Sequence, residues 1–301
     1  MNTQTGILLL PRGYTEKHLY MNTIDTFNDV AYACSAATTE RYSTSFASAI
    51  RLLHKDQRAP VHAIYGFVRL ADEIVDTFHD FDKAALLADF KAQTYAAIAG
   101  GISLNPILQS FQHTVNKYHI DLALIEAFLH SMETDLHKSI YQQEQELCDY
   151  IYGSAEVVGL MCLYVFCEGD EATYQRLKPA ACSLGAAFQK VNFLRDLQAD
   201  HQQLHRTYFP GLDFYNFDKA TKQRIESDIA ADFSAAYNGI RQLPVKARFG
   251  VYVAFRYYLS LFHKIRRMQP SVIIEKRVRV PNFGKALILL RAGLVVQLRL
   301  I

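Results

Sequence analysis

The sequence predicts an all-α fold, and three observations predict it. Apolar residues recur at three- and four-residue spacing, as in Ile64, Phe67, Val68, Ala71 and Val75. Helix start and stop signals punctuate those runs: Asp82 ahead of Ala84, Gly100-Gly101 behind Ala99, Asn105-Pro106, and Asp121. Alternating strand patterns are few, and there is no low-complexity linker and no repeat with a period of roughly 20–50 residues. A single all-α domain accommodates all of this.

The elements follow in order. Asp25 is expected to cap a helix carrying Phe27, Val30, Ala31 and Cys34, and a second runs through Phe46, Ile50 and Leu53. A third extends from about Ala59 to Phe78, and Asp82 caps a fourth over Ala84 to Ala99. Asn105-Pro106 opens a fifth, and Asp121 starts a sixth through Phe128 and Met132. Further helices are expected near 144–167, 170–200, 218–242, 246–268 and 283–299. The irregular stretch His201–Asn216, polar and aromatic, is expected to be a lid.

Composition limits the function. The 301 residues are half hydrophobic, enough for a sizeable core, and the net charge of +2 gives no reason to expect nucleic acid as a partner. The five cysteines form no CxxC pair and no zinc spacing with histidine, which suits reduced thiols in a cytoplasmic protein. The run Gly6-Ile7-Leu8-Leu9-Leu10-Pro11 is too short for an export signal and has no basic residue ahead of it. Helical periodicity begins after Met21, so residues 1–20 are expected to be an extension to a domain spanning 21–301. No run of about 18 or more uncharged apolar residues predicts a transmembrane helix.

Two acidic patterns carry the chemistry. In Arg69-Leu70-Ala71-Asp72-Glu73-Ile74-Val75-Asp76 the two aspartates stand four apart, so a helix puts both carboxylates on one face. Such a pair is more often a solvated acidic face than a metal site, but the turns ahead of it are strongly apolar. Like charges at that spacing destabilise a helix unless a cation lies between them, and Mg²⁺ suits oxygen ligands that share it with phosphates. The second pattern is Gln189-Lys190-Val191-Asn192-Phe193-Leu194-Arg195-Asp196-Leu197-Gln198-Ala199-Asp200, where Asn192, Asp196 and Asp200 share one face. Two such faces opposed across a cavity would bind a diphosphate through divalent cations.

Here the chain resembles the squalene and phytoene synthases. Tyr42-Ser43-Thr44-Ser45-Phe46, Ala63-Ile64-Tyr65 and Arg69 through Asp76 are similar to that family's first signature. Asn192 to Asp196 with Asp200, followed by Arg206-Thr207-Tyr208-Phe209-Pro210, is similar to its second. Between them Met132-Glu133-Thr134-Asp135, Tyr141, and Tyr152 through Met161 also match, and the resemblance spans about residues 27–295. One departure is Glu156, where the family usually has Gly, and the stretch from Asp200 to Tyr208 is about one residue longer than in some relatives.

The resemblance implies a helical isoprenoid-synthase bundle around a central cavity. It implies head-to-head condensation of two geranylgeranyl diphosphates to phytoene, through a cyclopropylcarbinyl diphosphate. Asp72, Asp76, Asn192, Asp196 and Asp200 are the expected ligands of Mg²⁺ or Mn²⁺. Arg69, Arg195, Arg206 and Arg277 are expected to grip phosphate oxygens, because a guanidinium fork is bidentate. Tyr65, Tyr141, Tyr208, Phe46 and Tyr258 are expected to face an allylic cation, which aromatic rings stabilise without quenching. Ser45 and Gln189 complete the substrate-binding set. No NADPH is expected, since that hydride donor belongs to the squalene branch.

Other readings stand beside this one. Condensation of two farnesyl diphosphates to dehydrosqualene or squalene is the first. A non-catalytic assembly factor of the same fold is the second, and both complete carboxylate sets count against it. His201 and His205 at four-residue spacing lack the Glu of a zinc HExxH motif, and Glu133 and His137 are wrongly spaced for a di-iron bundle. After Glu275 the chain holds Lys276, Arg277, Arg279, Lys285, Arg291 and Arg299 among leucines, isoleucines and valines, with no acidic residue. That tail is expected either to pack as a last helix or to sit peripherally on the inner face of a membrane.

Overall fold

The computed structural model describes residues 23–275, 277 and 278. The expectations for residues 1–20, for Met21 and for the helix and basic tail beyond Val278 lie outside the described residues. Twelve helices make up the described architecture, with no β-strand among the described residues.

Helices α1 (Thr23–Tyr42), α2 (Thr44–Ile50) and α3 (Lys55–Asp76) follow one another closely. Asp25 lies in the first turn of α1 rather than at its cap, where a carboxylate still complements the helix N-terminus. Between α1 and α2, Ser43 caps α2 by accepting the Phe46 N–H at 3.2 Å. Helices α4 (Lys83–Gly100), α5 (Pro106–Tyr118) and α6 (Leu122–Asp135) begin at Asp82, Asn105 and Asp121, each accepting backbone N–H groups as the sequence predicts. Gly101 closes α4 in a left-handed conformation. Phe67 of α3 stacks at 3.8 Å on Phe111 of α5, with Phe90 and Phe128 beside it, so this half is filled by side chains.

The other half surrounds a cavity. Helices α7 (Glu144–Ile151) and α8 (Val157–Cys167) are joined by a π turn, Tyr152–Glu156, and pack against α9 (Glu171–Leu204). Gly185 of α9 makes this approach possible: a Cβ there would lie 2.8 Å from the Glu156 Cα. Glu156 itself is half-buried and its carboxyl pairs with the Cys182 thiol, so the charged side chain is accommodated beside α9. Glu144–Cys167 is long and apolar enough to cross a membrane, but Val157, Leu160, Met161 and Val165 are fully buried here. Helices α10 (Lys219–Ile240) and α11 (Val245–Arg266) complete the wall, and α12 (Pro270–Ile273) is a single short turn.

The stretch expected to be an irregular lid is partly helical and otherwise packed down. Helix α9 continues through Leu204, so the first part of that stretch is helical. The remainder is anchored: Thr207 pairs with Ile140 in a parallel bridge, and Tyr208, Phe209, Leu212 and Phe214 are buried, as is Phe217 just beyond it. Aromatic side chains that read as polar-loop decoration are its attachment to the core. Removing five such side chains from water stabilises the closed position strongly.

Candidate active site

The C-terminal end of α3 and the C-terminal half of α9 bring the two acidic patterns together. On α3, Arg69 pairs with Asp72 at 2.7 Å and with Glu73. Burial and the neighbouring Asp76 carboxylate push Asp72 up to about 6, against the pull of Arg69 and Arg206. On α9, Arg195 donates from Nε to both Asp196 oxygens at 3.0 and 3.1 Å. Burial, then Asp196 and then Asp76, push Asp200 up to about 7. Arg206 brings the two faces together: its backbone N–H donates to the Asp200 carbonyl at 2.9 Å, and its Nη1 reaches Asp76 on α3 at 2.8 Å.

Arg206 links these faces to a third carboxylate. Its Nη1 meets Asp76 Oδ1 at 2.8 Å, and its Nη2 donates to the Asp135 backbone carbonyl at 3.0 Å. Asp135 is only 4% exposed and accepts the Tyr150 hydroxyl proton at 2.8 Å. Burial pushes its carboxyl up to about 7. Arg277 pairs through Nε with Asp196 Oδ1 at 2.6 Å, beside the Val278 N–H bonded to the Arg195 carbonyl. All four predicted arginines are therefore held by carboxylates at the site.

Below the acidic mouth lies a cavity of about 300 Å³ between α2, α3, the π turn and α8, α9, α10 and α11. Its polar wall is confined to the mouth: Tyr65, Ser154, Gln189, Asn192 and Tyr258. Gln189 donates to Ser154 at 3.3 Å, while the Asn192 side-chain oxygen is buried without a partner. Four rings crowd here. Phe46 stands 5.9 Å from Tyr65 and 5.7 Å from Tyr258, and Phe188 stacks on Tyr258 at 3.9 Å. Burial pushes the Tyr65 hydroxyl up to about 12, and Ser43 bonds to it.

Three predicted residues stand elsewhere. Tyr141 and Tyr208 do not line the cavity. Tyr208 is stacked by Phe193 at 3.8 Å and Tyr150 at 5.6 Å, and Tyr141 lies between Tyr150, Tyr208 and the Lys138 ammonium. Their faces are already covered, so they support the Arg206–Asp135 pair from beneath. Ser45 is half-buried and does not line the cavity; its neighbour Ser43 makes the contacts to α2 and Tyr65.

Sequence reasoning missed Asp135, Tyr150 and Phe188. Asp135 had a signal, the Glu133-Thr134-Asp135 match, but its role depends on Arg206, 71 positions away. Phe188 sits one residue before Gln189, just outside the acidic pattern.

Among the described residues no three Asp, Glu, His or Cys side chains converge into a ready-made metal cage. The donor set still fits a hard divalent cation. It offers oxygen only, on two facing surfaces, with one unpartnered amide oxygen and two carboxyls whose negative charge is poorly compensated. Mg²⁺ is characteristically bound by one or two carboxylates, waters and substrate phosphates rather than by an all-protein cage.

Known proteins resemble this chain in sequence and in fold. The family model for squalene/phytoene synthase matches residues 39–284. A 4,4'-diapophytoene synthase of Staphylococcus haemolyticus is 28% identical over 194 residues, 64% of this chain and 66% of that relative. A 15-cis-phytoene synthase of Pantoea ananas is 27% identical over 249 residues, 75% of this chain and 79% of the relative. A solved dehydrosqualene synthase in complex with ligand superposes with a TM-score of 0.80 over 90% of this chain and 98% of that one, at 20% identity, a likeness of fold. The chain belongs to the squalene/phytoene synthase family, a family of head-to-head prenyl diphosphate condensations.

Proposed function

We propose that this protein joins two geranylgeranyl diphosphates head to head to give phytoene. The observation that carries the reading is the pair of carboxylate faces on α3 and α9, bridged by Arg206 above an apolar cavity. Asp72 and Asp76 on one side, and Asn192, Asp196 and Asp200 on the other, would hold Mg²⁺ or Mn²⁺, which supplies positive charge to the departing diphosphate oxygens. Arg69, Arg195 and Arg277 exchange a carboxylate partner for a phosphate oxygen as substrate binds. Arg206, buried and bound to two aspartates, holds the α3 face in place.

Loss of the first diphosphate leaves an allylic cation beneath the four mouth rings, Tyr65, Tyr258, Phe46 and Phe188, where a desolvated ring face stabilises it by about 2 kcal/mol. The double bond of the second chain attacks it, and loss of one proton closes a cyclopropylcarbinyl diphosphate. The second diphosphate then leaves, the carbon skeleton rearranges to a 1-1′ link, and loss of a second proton gives the central double bond. No hydride donor enters this balance, so the reaction proceeds without NADPH. The product is an insoluble hydrocarbon, and the basic, apolar sequence after Glu275 suits release beside an anionic membrane.

The shorter reaction, two farnesyl diphosphates to dehydrosqualene, is the second reading, favoured by the Staphylococcus relative. Product analysis with C15 or C20 diphosphate, with and without NADPH, tests both. A C40 product formed with Mg²⁺ alone and abolished by EDTA supports the proposal. A strict NADPH requirement, or product from C15 alone, overturns it.

A further inference from the structure

The floor of the cavity determines which chain fits. We propose that Phe166 of α8 and Leu177 of α9, closed in by Leu53, Val61 and Leu243, form a stop that a C20 chain reaches and a C15 chain does not. The proposal rests on the head-to-head reading and adds to it the residues that select chain length.

The depth follows from helix geometry. All of these residues line the cavity. Leu177 lies fifteen residues below Asn192 on α9, about 22 Å at the helical rise. Helix α8 gives an independent value. Ser154 is bonded to Gln189, three residues below Asn192 and therefore about 4 Å down. Phe166 lies twelve residues further along, about 18 Å more, which again makes about 22 Å. The helices are antiparallel with a fixed register, since Glu156 abuts Gly185, Gly159 abuts Ala181, and Tyr164 packs on Tyr174 at 4.2 Å. Side chains on a helix lean toward its N-terminus, which carries the Phe166 ring back up toward the cavity.

Carbon–carbon bonds of about 1.5 Å zigzag, so the sixteen main-chain carbons of a C20 prenyl group extend to about 20 Å and the twelve of a C15 group to about 15 Å. The longer chain meets the stop, and the shorter leaves the last turn of the cavity empty. Two glycines let the flanking helices close on that turn: a Cβ on Gly239 would collide with Ala180, and one on Gly250 would lie 2.5 Å from Leu53 Cδ2. Below Gln189 the wall of α9 is Leu184, Ala181, Ala180 and Leu177, with no hydrogen-bonding side chain, as a hydrocarbon tail requires.

The test uses full-length protein with Mg²⁺ and C15, C20 and C25 diphosphates in equimolar competition. Product length reports turnover, and thermal shift with non-ionisable thio-diphosphates of the same three lengths reports binding without turnover. The wild type is expected to favour C20 over C15 by about tenfold or more, given what each buried methylene contributes to discrimination. Phe166→Ala, or the milder Phe166→Leu, should move both readouts toward C25. Ala180→Phe, or Ala180→Val, should move both toward C15, each by about tenfold in the stronger variant. Circular dichroism confirms which variants fold, and the mild pair stands in for any that does not. Ranks unchanged in folded variants, or a wild type that favours C15 in binding, overturn the floor. Ranks that move in binding while no head-to-head product forms from any chain overturn the function and leave the floor standing.

Discussion

Two aromatic clusters lie close together, and they do opposite things. At the mouth, Phe46, Tyr65, Phe188 and Tyr258 surround an open cavity. Beneath the segment after α9, Tyr141, Tyr150, Phe193 and Tyr208 stack on one another and support the Arg206–Asp135 pair. The residue types are the same; what differs is whether a ring has an uncovered face. The acidic groups divide in the same way. Asp72 and Asp196 stand at the mouth of the cavity, whereas Asp135 is buried and already committed to Tyr150. Substitutions at the mouth should therefore change turnover, and substitutions in the clamp should change stability.

The largest effect tests the mouth. Asp196→Ala, and separately Asp72→Ala, should lower turnover at least a thousandfold, about 4 kcal/mol of transition-state stabilisation, with Tm moved by no more than about 2 °C. Steady-state kinetics and a melting curve on the same sample decide it. Near-normal turnover with Mg²⁺ would remove that face from the site. Next comes the clamp. Arg206→Ala leaves Asp76 and the buried Asp135 without their cation, which should cost about 3–5 kcal/mol and lower Tm by roughly 10 °C or more. A Tm near that of the wild type would show that the clamp is not a stabilising pair.

The clusters themselves can be set against each other. Tyr258→Leu should reduce turnover by about thirtyfold, the equivalent of ~2 kcal/mol of cation stabilisation, with a smaller loss of stability. Tyr208→Leu should do the reverse, losing about 2 kcal/mol of stability through the cavity it leaves, with turnover of the folded fraction less affected. If both variants behave alike, the division between the clusters is wrong.

What could be read in advance follows the same division. The carboxylate faces were legible because a spacing of four is a local property of any helix; what joins them, Arg206 reaching Asp76 on α3, is not local. Caps at Asp82, Asn105 and Asp121 were legible for the same reason. The sorting of aromatics was not, because Tyr208 and Tyr258 differ only in what long-range packing lays over them. Arg206 was expected to grip phosphate, but its partner Asp76 is 130 positions away and no local pattern joins them. The segment after α9 looked like a lid because it is irregular and both polar and aromatic. Its five buried apolar side chains are spaced irregularly, which no helix or strand period detects.

The smallest effect separates the regions by pH. Asp135 and Asp200 are pushed up to about 7 and Asp72 to about 6, each from an ordinary 3.8 and each chiefly by burial. The native state thus holds these protons more tightly than the unfolded chain does. Their stabilisation is complete below about pH 4 and fades as pH rises through 6 and 7. Without metal or substrate, Tm should fall between pH 5 and pH 8. Asp135→Asn removes the clamp's share and should flatten that fall by about 2–3 kcal/mol. Binding of Mg²⁺ with diphosphate requires deprotonated ligands at the mouth, so it releases protons, and its gain in Tm should be larger at pH 8 than at pH 6. The clamp carboxyl stays outside that exchange. Asp135→Asn should therefore leave the pH dependence of the metal-induced gain unchanged, while Asp200→Asn weakens it. A metal-induced gain independent of pH, or one that responds to Asp135→Asn rather than Asp200→Asn, would show that the mouth and the clamp titrate as one group.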